Sequence, residues 1–237
     1  MFNILRTLTS IAIAAGLILT SSSVFADGSK TYEVTITNIT NAIIFTPILV
    51  ASHKKGLAPL FELGLPASDD MTAIAEGGNT GPLTATLGVD PDVVAVGNSG
   101  GLLHPGASVT VMVSAEKGAK HISIASMMLP TNDGFIGLNG VKAPKKGTAT
   151  YYSPGYDAGT EGNDEKCANI PGPQCGGTGP SPIVVLGAET NPGDEGYVHI
   201  HRGIQGIGDL SVVEPPKPSH IYDWRNPVAK ITITRVK

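Results

Sequence analysis

The chain has 237 residues, with 16 Lys and Arg against 20 Asp and Glu and a formal net charge of −4. A mildly acidic chain with no basic run and no aromatic–basic interleaving argues against nucleic acid as a partner. Its 30 glycines and 18 prolines stand beside 41% apolar residues, which fits many short strands joined by tight turns and argues against disorder.

Residues 1–26 read as a cleaved secretory signal peptide. Arg6 gives the positive start, Ile11 to Leu19 the apolar run, and Val24-Phe25-Ala26 the small residues that cleavage needs at −3 and −1. The run is shorter than the roughly 20 residues of a membrane span, and no later segment qualifies. The expected mature chain starts at Asp27, forms one domain over 27–237 and is exported, whether secreted, held at the cell surface or periplasmic.

Tyr32 to Ile39 alternates apolar and polar residues and predicts a half-buried strand; Ile43 to Ala51 predicts a more fully buried one. Ser68 to Ala75 is the best helix, with Ser68 as cap, Asp69 and Asp70 at the positive end of the dipole, and an apolar stripe of Met71, Ile74 and Ala75. Pro82 to Leu87 and Asp92 to Val96 each fit a helical turn or a short extended piece. Ser108 to Ala115 alternates cleanly, and His121 to Leu129 is apolar enough for a central strand. Phe135 to Leu138, Thr148 to Tyr152, Val198 to His201 and Val228 to Val236 complete the strands. Gly162 to Glu195 is a long polar connection rich in Gly and Pro, of a length that suggests a function or a disulfide pin. Strands at both ends, turns between them and one short helix predict an all-β antiparallel sandwich. Cys167 and Cys175 predict one disulfide in an exported protein, with a two-Cys metal site as the competing reading. Asn38-Ile39-Thr40 forms an Asn-x-Thr sequon.

Two turns carry the candidate chemistry. Leu129-Pro-Thr-Asn-Asp133-Gly and Tyr156-Asp157-Ala-Gly-Thr-Glu161 place carboxylates just past extended segments, an arrangement that gathers oxygen ligands for a hard cation at one end of a sheet. The plain alternative is two ordinary solvated turns. These blocks resemble the spondin domain: the first is similar to its "Pro-Ser-Pro-Asp-Trp" segment and the second to its Tyr-Asp-Ala-Gly-Thr-Asp signature. Thr46-Pro-Ile-Leu-Val-Ala-Ser-His53 and Pro227 to Val236 are similar to its opening and closing strands. The resemblance implies a C2-like antiparallel β-sandwich with one Ca²⁺ held by three carboxylates, which here are Asp133, Asp157 and Glu161. The expected role is adhesion, surface association or another extracellular interaction, without catalysis; the resemblance does not carry over which extracellular protein or glycan is the partner. The chain departs from the pattern at Gly134, inserted after Asp133, and at Glu161, which stands for Asp.

A rival reading starts from His199 and His201. Two residues apart in a strand, they put both imidazoles on one face, the spacing of a transition-metal pair. A Zn²⁺ or Cu²⁺ metalloenzyme built on them needs a third ligand, from His220, His121 or Asp223. Against hydrolase chemistry, the chain lacks His-Glu-x-x-His and a phosphate loop, and Gly97-Asn-Ser-Gly-Gly101, though it fits Gly-x-Ser-x-Gly, reads as a loop with no obvious base partner. Asp209 reads as a turn residue, and Trp224 as a packing anchor.

Overall fold

The computed structural model describes residues 19–20, 30–116, 118–172, 193–210 and 219–236. Strands β1 (Leu19–Thr20), β2 (Thr31–Asn38), β6 (Ser108–Ser114), β9 (Thr148–Ser153) and β12 (Ala229–Val236) form one sheet in the order β1-β6-β2-β12-β9. The second sheet runs β11-β10-β8-β7-β4-β5, from β4 (Leu49–His53), β5 (Val93–Asn98), β7 (His121–Leu129), β8 (Gly134–Lys142), β10 (Gly155–Asp157) and β11 (His199–Ile200). A short β3 (Ile44–Phe45) pairs with the far end of β7. The result is an all-β sandwich, as the alternating patterns predict.

Period-2 faces explain the first sheet. Tyr32, Val34, Ile36, Val109, Val111, Val113, Ile231 and Ile233 turn inward and are buried, meeting Ile48, Val50, Ile122, Ile124, Ile136 and Leu138 from the second sheet. The outward face is polar and cross-linked by hydroxyl pairs, Thr35 to Thr110 at 2.8 Å and Thr37 to Ser108 at 2.8 Å. β12 lies antiparallel to β2 from Ala229↔Asn38 to Val236↔Thr31, so Thr31 and Val236 end side by side. β1 lies within the stretch read as signal peptide and adds to β6 in parallel.

The second sheet is covered on both faces, which is why β4 is buried at every residue and β7 at all but its first. Its outer face packs under two helices, α1 (Asp69–Gly77) and α2 (Gly81–Val89), through Met71, Ile74, Leu83 and Leu87 against Leu49, Ala51, Ala125 and Phe135. One helix was expected; α2 is the second, formed where Pro82 stands in the first turn and supplies the φ a helix start needs. In α1 the Ser68 hydroxyl accepts from the Met71 N–H at 3.3 Å, and Gly78 closes the helix at φ 64. The predicted strand over Ile43 to Ala51 is broken into β3 and β4. Pro47 has no N–H to continue the ladder, and the Thr46 hydroxyl takes the Met127 N–H instead at 3.1 Å.

Two further sequence features resolve here. Asn38 is fully buried and its side chain is committed, donating to the carbonyls of Ile43 (2.7 Å) and Leu103 (3.0 Å) and accepting from Thr40. The folded chain therefore offers no glycan acceptor at this sequon. Trp224 is 9% exposed and packs on His201, ring centroids 4.9 Å apart, as an anchor.

At the start of β7, His121 stacks on His53 at 5.8 Å. His53 donates from Nδ1 to the Lys54 carbonyl and takes the Ser123 hydroxyl at Nε2, while that hydroxyl accepts from the Gly140 N–H. Burial holds both imidazoles below their ordinary range, helped at His121 by Lys142, Lys55 and Lys120. A depressed folded value means that the unfolded chain binds the proton more tightly, so this stability is present above pH 6.5 and is lost as pH falls below it. The drop in Tm between pH 7.5 and 5 should accordingly be smaller in His53→Gln than in the parent; equal drops would show that His53 carries none of it.

Candidate functional site

The strand register builds the site. Asp157, the last residue of β10, lies opposite Gly134 on one side and His199 on the other. Asp133 immediately precedes β8, so two carboxylates and one imidazole meet at one end of the second sheet. Asp133 and Asp157 are fully buried and Glu161 is 2% exposed.

The turn after Asp157 folds back over Asp133. Asp133 Oδ2 accepts from the backbone N–H groups of Thr160 (2.7 Å) and Glu161 (3.1 Å). Asp157 Oδ1 accepts from the Gly159 N–H at 2.9 Å, and Oδ2 from the Asn163 amide at 2.8 Å. Gly159 sits at φ +65 with the Tyr197 carbonyl 2.3 Å from where a Cβ would be, so only glycine lets the segment carrying Tyr197 cross here. That crossing brings in Glu195, and α1 contributes Glu76, whose charge falls on Glu161.

The cluster is short of positive charge. Burial, then the charge of Asp157, pushes the Asp133 carboxyl up to about 7; burial, then Glu76 and Asp133, pushes Glu161 up to about 8. Asp133 Oδ1 and Glu161 Oε2 are buried without a hydrogen-bond partner. Among the described residues no Lys or Arg forms an ion pair with Asp133, Asp157, Glu161 or Glu195.

The two histidines flank Asp157. His199 Nε2 is 3.6 Å from Asp157 Oδ1 and 3.7 Å from Glu195 Oε2; His201 Nε2 is 3.9 Å from Asp157 Oδ2. Burial lowers His199, but its bond to the Ile200 carbonyl and the charges of Asp157 and Glu195 outweigh this and raise it. Burial, then His199, drives His201 down to about 4. The inserted Gly134 has a structural use: a Cβ there would lie 3.0 Å from the His201 ring and 2.5 Å from the Thr131 hydroxyl. The insertion makes room for His201.

The structure thus brings together Asp133, Asp157, Glu161, His199 and His201. It leaves out the third ligands considered for the histidine pair: His121 sits at the opposite end of β7 from Asp133, His220 on a 3-10 turn, and Asp223 against Gly203. Among the described residues the set of three whose ligand atoms all lie within 4.8 Å of one another is Asp157, Glu195 and His199. Glu195 and Glu76 were missed. Glu195 stands four residues before His199, a faint signal, and Glu76 ends a helix where the dipole disfavours an acid.

The family model described as Spondin_N matches residues 30–163. The chain belongs to the spondin N-terminal domain family. The matched stretch of the spondin domain carries β2 through β10 together with Asp133, Asp157 and Glu161. Glu195, His199, His201 and the closing strand β12 lie beyond it. No curated protein matches the chain.

Beyond the match, the 199–210 segment is pinned to residues just past the end of the matched stretch. Glu165 is 3% exposed, and its carboxylate accepts from the N–H groups of Gln205 (2.5 Å), Gly206 (2.6 Å) and Ile207 (3.0 Å). Asp209 Oδ1 accepts from the Cys167 N–H at 2.7 Å, a structural role consistent with a turn residue. Cys167 is buried and is not a free thiol; Cys175 lies outside the described residues. No helix among the described residues is long and apolar enough to cross a membrane.

Proposed function

We propose that this spondin domain is an exported, Ca²⁺-binding module that acts in adhesion, surface association or another extracellular interaction, and not in catalysis. The observation that supports this most is the pair of buried, unpartnered carboxylate oxygens on Asp133 and Glu161 in a cluster with no Lys or Arg counter-ion among the described residues. Carboxylates held above their ordinary range by burial and then by one another's charge are relieved by a cation. Hard oxygen donors from flexible turns suit Ca²⁺, which tolerates the extra methylene of Glu161 because its oxygens need only reach about 2.3–2.6 Å. Asp133 through Oδ1, Asp157 and Glu161 through Oε2 would hold the ion, which when bound supplies the missing positive charge and ties the two turns together.

Export rests on the signal-like residues 1–26 and on the family, whose members are typically extracellular. An interaction role is supported by the exposed apolar side chains beside the acidic end, Leu65 (52% exposed), Tyr197 (45%) and Ile200 (46%). Calorimetric titration of metal-stripped protein with Ca²⁺ tests the reading; one saturable equivalent is expected, and the absence of any heat up to millimolar ion would sink it.

A further inference from the structure

We infer that Asp157, Glu195 and His199 form a second metal site, for a transition-metal dication such as Zn²⁺, in which two ligands from beyond the family-matched segment join Asp157 from within it. Only Asp157 is common to this site and the calcium reading, and the inference does not rest on that reading.

The tautomers make the case. His199 Nδ1 lies 3.0 Å from the Ile200 carbonyl oxygen, which can only accept. The ring proton is therefore on Nδ1, and the neutral ring presents a lone pair at Nε2. That lone pair faces two carboxylate oxygens, Asp157 Oδ1 at 3.6 Å and Glu195 Oε2 at 3.7 Å, and Nε2 has no hydrogen-bond partner. Three electron-rich atoms converging on one point are stable only around a proton or a cation. A metal-ligating histidine commonly donates its other N–H to a backbone carbonyl, and that is the arrangement here.

His201 is wired the other way. Its Nδ1 accepts from the Gly203 N–H at 3.0 Å, so its proton is on Nε2. It is 6% exposed, its Nε2 is unpartnered, and that atom is aimed at Asp157 Oδ2 from 3.9 Å. His201 is thus a positioning residue, a donor held ready to orient the carboxylate that both ions would share, and not the second member of a histidine chelate.

Geometry and donor type select the ion. Four ligands at about 2.0–2.1 Å around Zn²⁺ stand about 3.3 Å apart, so the observed 3.6 and 3.7 Å need only a small contraction. The imidazole favours Zn²⁺, Co²⁺ or Cu²⁺ over Ca²⁺ and Mg²⁺. Three protein ligands leave a fourth position open, and the His199 and Glu195 side chains, 19% and 26% exposed with their ligand atoms buried, place the site just beneath the surface.

The test is titration of the metal-stripped full chain with Zn²⁺ by calorimetry and with Co²⁺ by visible absorption, run with and without roughly 1 mM Ca²⁺. One equivalent of Zn²⁺ is expected at micromolar affinity or better, with a Co²⁺ spectrum of low coordination number. His199→Ala and Glu195→Gln should each weaken Zn²⁺ by more than about tenfold, a loss that even an outer partner produces, while leaving any Ca²⁺-induced rise in Tm intact. Both side chains reach solvent, so the variants should fold, as circular dichroism would verify. Zn²⁺ binding without a calcium effect would retire the calcium reading and keep this one. No saturable Zn²⁺ below millimolar, or equal affinity in both variants, overturns the inference.

Discussion

Asp157→Asn should abolish the rise in Tm that Ca²⁺ gives the parent domain. With roughly 1 mM Ca²⁺ and a Kd on the order of 10 µM, mass action stabilises the bound form by about 2.7 kcal/mol, about 5–10 °C for a domain of this size. Asparagine keeps the shape of the side chain and an acceptor for the Gly159 N–H, so the turn over Asp133 can still form. It removes the charge at the centre of the cluster. Because Asp157 faces both Gly134 and His199 in the register, the same variant should also lose Zn²⁺. Thermal melts of parent and variant in EDTA and in Ca²⁺ provide the check. A variant that keeps the parent's Ca²⁺ shift would remove Asp157 from the ion.

The largest purely structural loss is expected at Glu165. Three backbone N–H groups of the exposed Gln205–Ile207 turn end on the buried Glu165 carboxylate, and Glu165→Ala leaves all three without this acceptor. Each orphaned donor costs about 1–3 kcal/mol, less what water recovers at this part-buried turn, so a loss of about 3 kcal/mol is expected, or about 6–12 °C in Tm. Glu165→Gln, which retains one carbonyl oxygen, should lose less. Protease susceptibility between residues 199 and 210 should rise in the alanine variant, since this carboxylate anchors that segment. Equal Tm in parent and alanine variant would mean that the three N–H groups find other acceptors.

How much of this was legible beforehand differs by element. Period-2 alternation found β2, β6 and β12 because one of their faces meets the other sheet and one meets solvent. β4 and β7 alternate poorly because helices cover their second face, so only their overall apolarity gave them away. α2 stayed ambiguous: Gly81-Pro-Leu-Thr-Ala-Thr-Leu-Gly-Val has too many β-branched and glycine residues for helix propensity to speak, and packing of Leu83 and Leu87 on the sheet decides it. At the site, the two acidic turns that carry Asp133, Asp157 and Glu161 to one sheet end were readable from turn chemistry and family resemblance together, whereas that these acids hold an ion is proposed. Glu195 and Glu76 were not, because they arrive from a long connection and a helix end, and only tertiary packing aims them. The histidines were found for a sound reason: their shared strand face leads both to Asp157, one near each carboxylate oxygen.

The pairing of Thr31 with Val236 has a consequence for how the molecule is presented. Tyr32, next to Thr31, donates its hydroxyl to the Ala119 carbonyl, just before β7 begins, whereas Asp133 follows where β7 ends. Nine strand residues at about 3.3 Å each separate the two places by about 30 Å. A tether joined at Thr31 or at Val236, whether a surface anchor or an engineered linker, pulls from the pole opposite the acids. The acidic pole then faces outward, toward whatever the surface meets.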